Sequence, residues 1–191
     1  MSHPPEQRRN ADVTGLELIG GIEKRDIVLV EHTATWADVF ATHRSRVAAA
    51  VGLASRGIEH IGSTSVPGLA AKPIVDVLLL VDDITAESKY LDPLTRSGYV
   101  VRVREPGHRM LRTPELDVHL HVFEPGTPAA EDLLLLREHL RRHEADRDLY
   151  ERTKRDLAER DWPDMNAYAN AKSEVIAHIL HRARSAPRDF M

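Results

Sequence analysis

Apolar positions along the chain follow two patterns. Through residue 123 they come as short runs broken by turn residues, and from residue 131 onward they recur at helical spacing among Leu, Ala, Arg and Glu. The first pattern predicts short strands at residues 27–30, 58–61, 74–81, 99–104 and 117–123, with a further strand or turn at 109–112. Residues 74–81 are apolar on both faces except for Asp76, as expected of a central strand covered on both sides. Trp36, Val39, Phe40, Val47 and Val51 keep helical spacing and predict a helix over 36–55. A second helix is predicted over 86–97, closed by Gly98. The later pattern predicts helices over 131–142, 144–160 and 165–184, with Pro163 suited to a first helical turn.

That order gives an α/β fold, or α+β in a stricter naming: a small mixed sheet packed by helices, with a helical C-terminal third. No linker-like stretch divides it, so residues 26–186 read as a single domain. Residues 1–25 read as a polar N-terminal arm and 187–191 as a short tail.

Two segments carry candidate chemistry. In the first, an apolar run ends at Gly62-Ser63-Thr64-Ser65, and a second apolar run opens with Asp76 near its start. Glycine lets a backbone approach a ligand, hydroxyls add donors, and main-chain amides at such a turn suit a phosphate. The bland alternative is a strand-to-helix turn with a Ser/Thr cap and no ligand. A carboxylate among Ile, Val and Leu is costly to bury unless it is paired or bound to a metal, so Asp76 either meets Lys72 or an Arg, or holds a cation. In the second segment, Asp117, His119 and His121 alternate with Val118, Leu120 and Val122. Asp117, His119 and His121 therefore share one face of a strand, which suits a metal or a phosphate as readily as an exposed edge.

The first segment resembles the nucleotidyltransferase superfamily, with its Gly-Ser pair followed by an acid on an apolar strand. The longer string His60-Ile61-Gly62-Ser63-Thr64-Ser65-Val66-Pro67-Gly68-Leu69-Ala70-Ala71-Lys72-Pro73, with Asp76, resembles the GrpB family within it. Val118-His119-Leu120-His121-Val122 and Tyr168-Ala169-Asn170-Ala171-Lys172 extend the likeness, which runs from about residue 27 to 184. The resemblance implies a nucleotidyltransferase-like sheet and a nucleotide or other phosphorylated small molecule as partner. It also implies a divalent metal, Mg²⁺ or Mn²⁺, with Zn²⁺ admitted through the histidines. Gly62, Ser63, Thr64, Ser65, Lys72, Arg109, Arg112 and Lys172 are then candidates for holding the phosphorylated ligand. Asp76, Asp117, His119 and His121 are candidates for the metal, and Asp76, His119 and His121 for catalysis.

The superfamily pattern carries a second acid two positions after the first, and here that position is Leu78. The departure divides the expectation. One reading is an enzyme that transfers a nucleotidyl group; another is a catalytically degenerate module that binds a phosphorylated ligand or regulates. A third is a transition-metal site centred on His119, His121 and Asp76. Replacing Leu78 by Asp is expected to strengthen metal binding. GrpB-like domains also occur fused to dephospho-CoA kinase, but this chain has no Gly-x-x-x-x-Gly-Lys-Ser/Thr loop, and no Gly-x-Ser-x-Gly elbow either.

Composition narrows the field further. The net charge of −4 argues against general nucleic-acid binding. With no cysteine, disulfides, thiol nucleophiles and cysteine-ligated metals are excluded. No apolar run suggests a membrane span or a signal peptide, so the expected location is the cytoplasm. Oligomeric state has no signature in the sequence.

Overall fold

The computed structural model describes residues 9–185, so the expected tail at 187–191 and the first eight residues of the expected arm lie outside the described residues. Six strands form one mixed sheet in the order β1-β4-β5-β6-β3-β2. They are β1 (Glu17–Leu18), β2 (Ser55–Ile61), β3 (Val75–Val81), β4 (Val100–Glu105), β5 (His108–Arg112) and β6 (Val118–Phe123). The helices are α1 (Thr35–Val51), α2 (Leu91–Arg96), α3 (Pro128–Arg142), α4 (Glu144–Ala158), α5 (Met165–Ala171) and α6 (Ser173–Ser185). This is the mixed α+β architecture that the apolar pattern predicts.

Strand β3 is the axis of the sheet. It pairs antiparallel with β2 and parallel with β6, and its two faces do different work. Val75, Val77, Leu79 and Val81 pack in one core with Trp36, Val47 and Val51 of α1 and Leu91 and Leu94 of α2. On the other face Leu78 is fully buried against Ile61, Phe123 and Ala130 at the start of α3. Asp76 shares that second face.

The C-terminal helices hold the loop between β2 and β3. Arg141 donates to the Ser65 carbonyl at 3.0 and 2.8 Å, and Arg137 donates to the His60 carbonyl at 2.8 Å. Glu151 of α4 accepts from the Ala70 amide at 2.8 Å, and Lys154 donates to the Ala70 carbonyl. Loop residues Val66 and Leu69 join Leu140, Tyr150 and Ile179 in a separate core. Side chains thus pair several main-chain groups of this segment, and others bond within it, such as the Ser65 amide to the Gly62 carbonyl.

Several expectations change. Residues 27–30 form no strand, and only Val30 bridges to Ala71. The helix expected over 86–97 shortens to a 3₁₀ turn at Glu87–Lys89 followed by α2. The final helix divides at Lys172 into α5 and α6, and α5 is capped by Asp164, whose carboxylate accepts from the amides of Asn166 and Ala167. Pro163 therefore lies outside the helix. Residues 9–25 are not a free arm. Glu17 and Leu18 pair with Arg104 and Val103 of β4, the Ile19 and Gly21 carbonyls accept from Arg102, and Glu23 pairs with Arg112 at 2.7 Å. The segment stays mostly exposed, but Asp12, Glu17 and Glu23 pair it with Arg109, Arg104 and Arg112 of the sheet. Among the described residues no helix is long and apolar enough to cross a membrane.

His60 supplies a test of this packing. It lies on the α1 side of β2, stacked on Phe40 at 4.8 Å and bonded to the Thr64 hydroxyl at 3.1 Å. Burial pushes its imidazole down to about 4, against the attraction of Asp76. Between pH 6.5 and about 4 the unfolded chain takes up a proton that the folded protein excludes, so stability falls as pH falls through that window. Denaturant titrations at pH 7 and pH 4 are expected to show a His60-dependent loss on the order of 2 kcal/mol. That loss should be absent from His60→Gln; an unchanged loss in the variant would refute the assignment.

Candidate functional site

The site is built where β3 and β6 run parallel. Asp76 lies directly beside His119, and Leu78 beside His121, so both imidazoles stand on the Asp76 face. His119 Nδ1 is 3.4 Å and His121 Nε2 3.6 Å from Asp76 Oδ1. One ligand atom from each of Asp76, His119 and His121 falls within 4.8 Å of the others, the one such grouping of three metal-ligating side chains among the described residues. All three side chains are half-buried. Burial alone would raise the Asp76 carboxyl, whereas N–H groups turned to it from the adjoining imidazoles, His119 first, outweigh burial and hold the group below the usual carboxylate range.

Gly62 closes one wall. It has φ 70° and ψ −175°, a region essentially reserved for glycine. A Cβ built there would lie 2.3 Å from Asp76 Oδ2. The glycine is therefore required twice, by its backbone angles and by the carboxylate that fills its missing side chain. The turn that follows is a single 3₁₀ turn, Ser63–Ser65, not the start of a full helix. Thr64 is buried against His60, and the Ser65 hydroxyl donates to the Gly62 carbonyl at 2.6 Å. Those two hydroxyls, expected to face a phosphate, are spent inside the turn, and Ser63 is left half-buried beside the site.

Positive charge arrives from two elements. Lys72 and Lys172 both point their ammonium groups at the Tyr168 ring, 5.0 and 4.8 Å from its centroid. Burial pushes Lys72 down to about 8, Lys172 pushes it further the same way, and Asp76 opposes them. Crowded cations near one carboxylate are the arrangement that an added anion would relieve.

Other expected members lie elsewhere. Asp117 sits in the turn before β6, where its carboxylate accepts from the Thr113 hydroxyl at 2.6 Å; it is outside the Asp76–His119–His121 group. Arg109 pairs with Val122 across the sheet and so faces the opposite side from the histidines. Its buried guanidinium is held by Glu87 and Asp12, each at 2.6 Å, and by the Glu105 and His108 carbonyls. Arg112, three residues on, does share the His119 side but is paired with Glu23. Its partner's carboxyl is held near 2, by Arg112 first and Arg25 after it, against burial. Leu78 is fully buried, so Leu78→Asp would strand a charge in the core and is expected to unfold the protein, not to build a second metal ligand.

Two residues escaped the sequence reading. His108 opens β5 and hydrogen-bonds His121 Nδ1 through its Nε2 at 3.1 Å. Lys154 is buried over the Tyr150 ring, within a charge run that reads as a solvated helix face. Burial, with the Lys172 charge adding to it, pushes Lys154 down to about 7. For Lys154 a signal existed, because Tyr150 and Leu157 lie four before and three after it on one helix face.

Comparison with known proteins agrees with this architecture. The family described as GrpB protein matches residues 26–182. The chain is 55% identical to the UPF0157 protein SCO7215 of Streptomyces coelicolor, over 95% of this chain and 97% of that protein. The crystal structure of conserved protein GrpB from Enterococcus faecalis superposes with a TM-score of 0.71 at 27% identity, covering 81% of this chain and 98% of that one. A dephospho-CoA kinase of Mycolicibacterium paratuberculosis is 24% identical over 85% of this chain, which corresponds to 47% of the kinase.

The Gly62–Asp76 contact is open to test by chemical denaturation. Gly62→Ala is expected to cost about 1–3 kcal/mol from its backbone angles and more from the collision with Asp76. In an Asp76→Ala background the collision is relieved, so the two changes should be non-additive. Equal costs in both backgrounds would show that the carboxylate is not what excludes a side chain.

Proposed function

The chain belongs to the GrpB family, and from that premise we propose that it binds a phosphorylated small molecule together with one divalent metal ion. The observation that carries this reading is the convergence of Asp76, His119 and His121. Two imidazoles and a carboxylate fit a borderline ion such as Zn²⁺ better than the harder Mn²⁺ or Mg²⁺, with positions left for water or a ligand oxygen. Such an ion supplies Lewis acidity toward a phosphoryl oxygen. Lys72 and Lys172 receive the remaining phosphate charge, and Tyr168 between them holds their side chains in place. A nucleotide is one ligand of this class.

A second reading, transfer of a nucleotidyl group, keeps the same residues. It has one carboxylate on β3 to work with, because the neighbouring inward position is the buried Leu78. This favours binding through a single ion over two-metal chemistry.

Isothermal titration of Zn²⁺, Mn²⁺ and Mg²⁺ tests the proposal. Zn²⁺ or Mn²⁺ is expected to bind more tightly than Mg²⁺, since imidazole suits transition metals better than hard cations. Asp76→Asn and His119→Ala should each weaken the tighter ion at least tenfold. Lys72→Met should not weaken metal affinity and should reduce metal-dependent binding of ATP or inorganic phosphate about tenfold, a loss of roughly 1.4 kcal/mol. Metal affinity indifferent to Asp76→Asn would end the reading.

A further inference from the structure

A chain of contacts continues past the candidate metal ligands to the edge of the sheet. Glu105 Oε1 is 2.6 Å from His108 Nδ1, His108 Nε2 is 3.1 Å from His121 Nδ1, and His121 Nε2 is 3.6 Å from Asp76 Oδ1. The His108 and His121 rings lie within 7° of parallel with centroids 5.3 Å apart. That separation, with a 3.1 Å nitrogen contact, sets the two rings edge to edge. Phe123 stacks on His108 at 4.4 Å and 8°, which fixes its ring plane from below.

We propose that Glu105 and His108 are positioning residues that fix the proton of His121 on Nδ1, and so present its Nε2 lone pair toward the metal held with Asp76 and His119. The inference rests on the metal reading above for its purpose, but its argument is independent of it. A carboxylate only accepts, so His108 carries its proton on Nδ1. Neutral His108 then offers Nε2 as an acceptor, which requires His121 Nδ1 to donate. The remaining nitrogen of His121 is then unprotonated and faces Asp76 at 3.6 Å, so in this tautomer only His119 can donate to the carboxylate, and the opposed lone pairs of His121 and Asp76 leave a place for a cation. The distances agree with that order, because 3.1 Å is a hydrogen bond and 3.6 Å is not. Ligating histidines commonly have their second nitrogen tied in this way, which orients the ring and sets the tautomer.

His119 has no such partner in the chain of contacts and approaches Asp76 through Nδ1. The two histidines are therefore inequivalent: the outer nitrogen of His121 is tied to His108, whereas His119 meets Asp76 and packs edge-on against the His121 ring. The tied ring gives the site its fixed direction.

The test reads the tautomer first and the metal second. Long-range ¹H–¹⁵N correlation spectra of the metal-free protein at pH 8 are expected to show His121 as the Nδ1–H form. His108→Phe keeps the stack on Phe123 but removes the acceptor, and should move His121 toward the Nε2–H form. His108→Gln restores an acceptor near the Nε2 position and should recover the parent spectrum. In chelator competition, His108→Phe should weaken Zn²⁺ binding about 10- to 100-fold, and His108→Gln much less. His121 found as Nε2–H in the parent protein overturns the proposal, whatever the variants do. So does a His108→Phe variant that binds Zn²⁺ no more weakly than His108→Gln. A parent protein with His121 as Nδ1–H that binds no metal upholds the relay and overturns the metal reading instead.

Discussion

A carboxylate on the central strand is the constraint around which this molecule is arranged. Asp76 interrupts a run of Val and Leu that is otherwise buried on both faces. A carboxylate so placed is tolerated only where the surroundings favour its charge. Four neighbours answer that demand from two elements. β6 brings His119 and His121 in parallel register, the loop after β2 brings Gly62 with no side chain to obstruct, and Lys72 arrives at the end of the same loop. Each would have a weaker reason for its identity if residue 76 were apolar.

The helical C-terminal third follows from the same requirement. The loop over residues 62–72 must pass close to Asp76 and cannot form a strand there, so its carbonyls and amides need other partners. Arg141, Glu151 and Lys154 provide some of them from α3 and α4, and bonds within the loop provide others. α5 then places the Tyr168 ring beside both Lys72 and Lys172, so that one ring contacts the ammonium groups of two lysines a hundred residues apart in the chain. The helices are part of the wall of the site as well as cover for the sheet.

Much of this was legible in the sequence, and the limits have physical causes. Strand alternation put His119 and His121 on one face, and an acid in an apolar strand stood out at Asp76. The same alternation, applied to Arg109 and Arg112, already separates them: positions three apart in a strand point to opposite sides. Asp117 obeyed the alternation but belongs to the turn, where its carboxylate is occupied by Thr113. What periodicity cannot carry is pairing between distant segments. The docking of residues 9–25 depends on Arg102, Arg109 and Arg112 finding Ile19, Gly21, Asp12 and Glu23, and no local pattern announces those partners. His108 lies outside the pattern for a narrower reason: alternation places the start of its strand at Arg109, one residue later, and a boundary is where pattern is weakest.

Leu78 and the histidines are two sides of one adaptation. With a second carboxylate at position 78, the inward face of β3 would offer two oxygen ligands at strand spacing, a set suited to hard, hydrated cations. Leu78 instead closes a small core with Ile61, Phe123 and Ala130. That core ends in the Phe123 ring, and Phe123 is the surface on which His108 lies flat. The apolar residue that removes one ligand is therefore packed into the cluster that orients another. Were an ion to bind, a site with one acid and two imidazoles, one of them in contact with His108 and through it Glu105, would favour a single ion of softer character.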